Sequence, residues 1–281
     1  MAITVAYLGP AGTYTHEAMR ASAVEEISPQ PRSTVYETVM AVQEGTADRA
    51  VVPIENSLEG GVAATLDALA GEADRVRIAA EVVHPIHHCL VAAEDLPLGR
   101  ITRVLSHPQA VAQCARYLRE RLPSAERVAT TSTAEAVRTV REQGGPWAAL
   151  GSRLSAELYD GRVLAEGVED EPDNVTRFVW LAPEGAAAAG VDGPAKTSIV
   201  FWGFNDASPG ALVSVLSELS DRSINLTKIE SRPRSGGLGH YMFFADLEGH
   251  EHERNITTAL TALAERVETL RVLGSYPVAG G

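Results

Sequence analysis

Lysine occurs at only two positions, Lys196 and Lys228, although lysine and arginine together number 24 in a chain of 281 residues. Everything before residue 196 therefore lacks an ammonium side chain, which excludes Schiff-base chemistry and a phosphate-cradling P-loop lysine from that part. Cysteine is scarce as well. Cys89 and Cys114 have no CxxC spacing, so neither a disulfide framework nor a metal centre is expected, and both read as buried thiols. A formal net charge of −13 with no basic run excludes a nucleic-acid partner. No apolar run approaches the ~18 residues of a bilayer span, and MAITVAYLGP lacks the basic flank and long apolar stretch of a signal peptide. The expectation is a cytoplasmic protein with no membrane partner.

What is present fits a soluble globular protein: 45% hydrophobic and 22% charged residues, in a length that predicts two or three compact units. Between Thr4 and Ala182, short β-branched runs alternate with amphipathic segments, as in AVVPIEN then VAATLDALAG, or RVLSHP then AVAQCARYLRERL. That alternation predicts α/β architecture. The extended run VRIAAEVVHPIHHCLVA, with Pro85 inside it, is the candidate connection between two lobes. Its His84, His87 and His88 have no carboxylate at ligand spacing, so structural roles are expected for them rather than metal. From Pro183 to Ala195 the sequence PEGAAAAGVDGPA has no periodic apolar face and reads as a linker. The order then changes, and residues 196–277 read as βαββαβ, the ferredoxin-like split βαβ arrangement.

Several strand-to-helix junctions end in small hydroxyl or amide residues: GPAGTYTHEAM, ENSLEGGVA, SHPQAVAQC and TTSTAEAVR. Each offers backbone N–H groups at a helix N-terminus, where an anion is favoured. Four such ends converging would hold carboxylates without lysine. Singly they are ordinary, since Ser132 with Glu135 fits a plain capping box and Gly9, Gly12 and Gly60-Gly61 suit turns.

In order along the chain, YLGPAGTYTHEA, VVPIENSLEGGV, HHCLV, SHPQAVAQC, STAEAV and NVTRF resemble the motif series of the prephenate dehydratase family. GALV and ESRP in the tail are similar to motifs of the regulatory ACT domain. The resemblance covers residues 3 to about 277. It implies a catalytic region over 1–182 resembling type II periplasmic binding proteins, a linker over 183–195 and an ACT domain over 196–277. The implied reaction is the decarboxylating dehydration of prephenate to phenylpyruvate, with no cofactor and no metal. Some members carry an N-terminal chorismate mutase domain; with the first dehydratase strand at Ile3, none is expected here. Two departures stand out: STAEAV where many relatives read STAxAA, and Leu158-Tyr159-Asp160-Gly161 where they often read LYGL.

By the resemblance Thr176, in the TRF motif, is the catalytic residue. A free threonine hydroxyl is a poor acid, so its expected role is a hydrogen bond or proton relay to the departing hydroxyl. In a strand, Arg177 points to the opposite face, which predicts an ion pair for it rather than a substrate contact. Asn174 and Phe178 share the face of Thr176. Thr13, Asn56 and Ser57 match polar motif residues of the family, and Gln109, Ser132 and Thr133 follow as substrate-binding candidates. In the tail, similarity to ACT domains implies a phenylalanine effector between two such domains, touched by Pro209, Gly210, Ala211, Leu212 and Val213 and by Asn225 and Leu226. That implies a homodimer or homotetramer. Arogenate dehydratase and a non-catalytic amino-acid sensor are the alternative readings.

Overall fold

The computed structural model describes residues 2–186, 193–204, 208–234 and 239–280. The first lobe contains β1 (Ile3–Leu8), α1 (Tyr14–Ser22), β2 (Ile27–Arg32), α2 (Val35–Gln43), β3 (Arg49–Asn56), β4 (Gly60–Gly61), α3 (Ala63–Ala70) and β5 (Val76–Pro85). The second lobe follows as β6 (Cys89–Ala92), β7 (Arg103–Ser106), α4 (Pro108–Gln113), α5 (Ala115–Arg121), β8 (Glu126–Ala129), α6 (Thr133–Gln143), β9 (Trp147–Gly151), α7 (Arg153–Leu158) and β10 (Arg162–Glu166). The chain then returns as β11 (Val175–Pro183), which lies between β3 and β5 and runs antiparallel to both. The sheet orders are β2-β1-β3-β11-β5, with β4 on β3, and β10-β6-β9-β7-β8. Two crossings, at 86–88 and 167–174, thus join the lobes.

Local chemistry explains most boundaries. Thr13, Thr34, Ser132 and Ser152 cap α1, α2, α6 and α7 by accepting backbone N–H groups. In α6 the buried Ala136, Val137 and Val140 form the apolar stripe that packs on the second sheet. β5 ends at Pro85, so His87 and His88 lie in the crossing segment and not on a strand. ENSLEGGVA does not start a helix at once: it folds into the β3–β4 hairpin, and α3 begins only at Ala63. The LYDG departure has a backbone consequence, because Asp160 adopts φ 54, a left-handed conformation that aspartate tolerates better than most residues.

β12 (Ala195–Trp202), α8 (Ala211–Ser220), β13 (Leu226–Pro233), β14 (Tyr241–Glu248), α9 (Arg254–Ala264) and β15 (Thr269–Pro277) form the third unit, an antiparallel sheet in the order β13-β14-β12-β15. This is the βαββαβ pattern. Of the expected linker, Pro183 belongs to β11 and Ala195 to β12, and 187–192 lie outside the described residues. One face of this sheet packs on α8 and α9 through Phe201, Val215, Leu219, Ile256 and Leu263. The other face joins the core of the first lobe: Val200, Met242, Phe244, Leu273 and Tyr276 share one cluster with Val52, Leu69, Ile78 and Leu181. At that joint a Cβ on Gly274 would stand 2.2 Å from the Ile78 carbonyl oxygen, so the backbones approach only because the residue is glycine.

Candidate active site

The lobes close on one another through hydrogen bonds that link the turn after β1 and helix α1 to helix α7. Ser152 Oγ donates to the Gly12 carbonyl at 2.8 Å, Tyr159 OH to the Ala11 carbonyl at 2.8 Å, and Leu154 N–H to Glu17 Oε1 at 3.0 Å. Between them lies a cavity of about 360 Å³. Thr13, Asn56, Gln109, Ser132, Thr133, Asn174, Thr176 and Phe178 all line it, together with Tyr14, His88, His107 and Gln113. Ser57 stands just behind this wall, where its Oγ donates to Asn174 Oδ1 at 3.3 Å and accepts from Val175 N–H at 3.0 Å.

Asn56 is the hub. Its Oδ1 accepts the Leu58 and Glu59 N–H groups at 3.0 and 3.1 Å, which fixes the amide orientation. Its Nδ2 consequently donates inward, to Asn174 Oδ1 at 2.8 Å, Thr176 Oγ1 at 2.9 Å and the Val175 carbonyl at 3.1 Å. The Thr176 hydroxyl therefore receives a proton on a lone pair, and among the described residues no protein acceptor takes its own proton. That proton is free to point into the cavity. Register explains the placement: Thr176 stands opposite Asn56, and β3 carries an extra residue, Ile54, so that Pro53 rather than Ile54 faces Phe178. A bulge suits a proline that has no N–H for the ladder.

A second chain of contacts joins the far wall. Asn174 Nδ2 donates to Gln113 Oε1 at 3.3 Å, His88 Nε2 lies 3.0 Å from the same oxygen, and His88 Nδ1 lies 2.7 Å from Tyr14 OH. Burial pushes the His88 pKa below the ordinary 6.5, against opposite pulls from Gln113 and Glu169. Neutral His88 fits these neighbours with the proton on Nε2, donated to Gln113, while Nδ1 and the His87 carbonyl share the Tyr14 proton. His88 is thus a cavity residue that sequence spacing did not single out. The other histidines diverge: His84 meets Glu17 at 3.2 Å and His87 meets Glu169 at 2.8 Å.

Helix N-termini reach the cavity at α1, through Thr13 to Thr15, at α4, through His107, Gln109 and Ala110, and at α6, through Thr131 to Thr133. The Thr13 hydroxyl is already engaged, donating to the Leu8 carbonyl at 3.0 Å and capping His16 N–H at 3.3 Å. ENSLEGG contributes side chains, because Asn56 itself consumes the turn amides. Among the described residues the lining contains no lysine, arginine, aspartate or glutamate.

Charge lies on the opposite face of β11. Arg177 Nη2 meets Glu55 Oε2 at 2.9 Å and Asp246 Oδ2 at 2.8 Å, and Nη1 meets Glu81 Oε2 at 3.1 Å. Lys196 pairs with Glu81 at 2.9 Å and Lys228 with Glu55 at 3.1 Å, so both lysines of the chain belong to this cluster. Burial disfavours the Arg177 charge, but Asp246, Tyr276, Glu55 and Glu81 outweigh it and raise its proton affinity. In the third unit, Pro209 to Val213 open α8 and Asn225 and Leu226 open β13. They flank α8, whose ten residues rise about 15 Å, and Ala211, Leu212 and Leu226 pack on the same core of this unit.

These features define a two-lobed small-molecule enzyme with a neutral, hydrogen-bonding cleft, coupled to a ferredoxin-like effector module. Likeness to known proteins sharpens that class. The prephenate dehydratase family model matches residues 5–186 and the ACT domain model residues 205–265. The chain is similar to the bifunctional chorismate mutase/prephenate dehydratase of Neisseria gonorrhoeae, 42% identical over 278 residues that cover 99% of this chain and 75% of that protein. It also resembles the crystal structure of prephenate dehydratase from Arthrobacter aurescens in complex with L-Phe, with TM-score 0.90 and 38% identity over 99% of this chain and 90% of that one. GqqA, described as a novel type of quorum quenching acylase, aligns with TM-score 0.86 and 32% identity over 98% of each chain. The chain belongs to the prephenate dehydratase family.

Proposed function

We propose that the cleft converts prephenate to phenylpyruvate and that Thr176 delivers the hydrogen bond on which the leaving hydroxyl departs. The carrying observation is the 2.9 Å donation from Asn56 to Thr176, which leaves the threonine proton directed at the cavity and polarises it cooperatively. In the reaction the bond from the ring to its carboxylate breaks, the electron pair enters the ring, and the C–O bond at the opposite carbon breaks. Carbon dioxide leaves, and the departing oxygen gains a proton to become water. The ring becomes aromatic, so no electron sink is needed, and the protein's tasks are orientation and stabilisation of the leaving oxygen.

A cation-free lining serves this chemistry. An arginine or lysine paired with the ring carboxylate would stabilise a charge that disappears as carbon dioxide forms, favouring the ground state over the transition state. The N-termini of α1 and α6, with Ser132, Thr133 and Gln109, supply weaker neutral donors for the two carboxylates. The lining also offers no carboxylate to an ammonium, which favours the keto acid prephenate over arogenate.

In this reading phenylalanine is the effector and binds between two ACT modules, where the turn at 209–213 of one copy meets residues 225–226 of the other. Exposed Val213, Ile229 and Tyr241 supply apolar surface for such a homodimer. Among the described residues no helix is long and apolar enough to cross a membrane. The cytoplasm suits the two free, buried cysteines. The test is incubation with prephenate and, separately, with arogenate, following phenylpyruvate and phenylalanine with and without added L-phenylalanine. Turnover of prephenate that responds to L-phenylalanine is expected; turnover of arogenate alone, or of neither, refutes the assignment.

A further inference from the structure

We infer that Arg177 is a positioning residue for Thr176, and that the ion cluster around it carries the state of the ACT module to the catalytic hydroxyl. The inference rests on the assignment of Thr176 above. Two adjacent rungs of the ladder between β3 and β11 carry it: Thr176 opposite Asn56 and Arg177 opposite Glu55. On the cleft face the first rung makes the Asn56 to Thr176 hydrogen bond. On the other face the second rung makes the Arg177 to Glu55 ion pair, with Nε and Nη2 donating to Glu55 Oε2 at 3.1 and 2.9 Å. Each member of the catalytic pair is thus one peptide from a member of the ion pair.

The ion pair does not end in the catalytic lobe. Arg177 continues to Asp246 on β14, Glu55 to Lys228 on β13, and Glu81 to Lys196 on β12. Asp246 is itself fixed by Ser198, whose Oγ donates to Oδ1 at 2.5 Å and lies 2.7 Å from Tyr276 OH. Lys228 also pairs with Glu230 at 2.9 Å, and Arg232 with Asp67 of α3 at 2.6 Å, so alternate residues of β13 face the catalytic lobe. The intervening Ile229 is exposed on the other side. A shift of β13 or β14 therefore loads Glu55 and Arg177 directly. Because Arg177 is buried and its fork is shared among three carboxylates, it has no solvent-exposed alternative position in which to absorb that shift. Displacement of these two rungs moves the Thr176 hydroxyl relative to a substrate held by the rest of the cleft, and such misplacement lowers turnover more than binding.

The test uses the full-length protein with ¹³C-methyl-labelled threonine, the Thr176 methyl resonance being identified by its loss in Thr176→Ser. Asp246→Asn keeps the side-chain shape, lies in the ACT module and does not line the cleft. It is expected to move the Thr176 resonance and to lower kcat about tenfold with KM within about twofold. L-phenylalanine, still bound in calorimetry, should then no longer move either quantity. Lys228→Gln, on the other side of the cluster, carries the same prediction at smaller amplitude and decides the matter if Asp246→Asn does not fold. An unmoved methyl resonance together with wild-type kcat in a folded variant overturns the inference. The methyl readout is independent of turnover: if wild type makes no phenylpyruvate, the functional reading fails, while movement of the resonance still decides the coupling.

Discussion

Thr176 and Arg177 are neighbours in one strand, yet the surroundings of their side chains differ in kind. On the cleft side, polar groups are connected through amides, hydroxyls and the His88 imidazole, with no lysine, arginine, aspartate or glutamate in the lining among the described residues. On the joint side, Arg177, Lys196 and Lys228 interleave with Glu55, Glu81, Asp246 and Glu230 across two structural units. The difference teaches where this chain can use charge. Fixed charge between packed units gives rigidity and register, because Arg177, Glu55 and Glu81 each have more than one charged partner. In the cleft a fixed cation would hold the ground state of a substrate whose charge must change.

Breaking the charged face should have the largest effect. Arg177→Met leaves Glu55, Glu81 and Asp246 facing one another with a partner missing, and should cost about 3–5 kcal/mol in urea unfolding. On the neutral face, Asn56→Asp retains an oxygen for the turn amides but replaces the donor with a second acceptor. The Thr176 proton then turns toward the new carboxylate, and kcat for phenylpyruvate formation should fall about 100-fold, roughly 2.7 kcal/mol, with the protein still folded.

Acid separates the faces by pH. Burial raises the Glu55 pKa, but Arg177 and Lys228 lower it more, so its folded value lies below the ordinary 4.5. Its stabilisation is present above the unfolded value and is lost as pH falls through the folded one. His88 is likewise depressed, mainly by burial, so its contribution is intact above 6.5 and declines as pH falls from there to its folded value. Burial depresses His16 as well, so melting curves from pH 7 to pH 2 should show a first decline reduced in His88→Gln and a later one reduced in Glu55→Gln. The smallest effect belongs to the rim: Asp67→Asn removes the partly exposed pair with Arg232 and should change stability by less than about 1 kcal/mol.

Period-two alternation makes part of this arrangement legible in the sequence. In NVTRF it separates Thr176 from Arg177, and in IEN it separates Asn56 from Glu55, on residue order alone. The α/β alternation and the βαββαβ tail are legible for the same reason, since helix and strand periods differ. What the sequence conceals is the meeting of distant segments. Arg177 is satisfied by carboxylates on β3, β5 and β14, and only the fold brings these to one side of β11. The scarcity of lysine is a usable signal: two lysines confined to one module invite the question of what they face. His88 is hidden because the run through Pro85 looks continuous, whereas the proline ends the strand and frees the next residues to turn into the cleft. Residues 209–213 and 225–226 flank α8, and their proposed joint action on an effector calls on a second copy that sequence pattern cannot display.

The central claim is that one hydroxyl, supplied with a hydrogen bond by Asn56, lets the substrate oxygen leave. Turnover of prephenate by Thr176→Ala and Thr176→Ser, in proteins with wild-type circular dichroism, tests it most directly. The account predicts that alanine lowers kcat at least ~100-fold while serine stays within about tenfold of wild type. Near wild-type turnover by the alanine variant would contradict it.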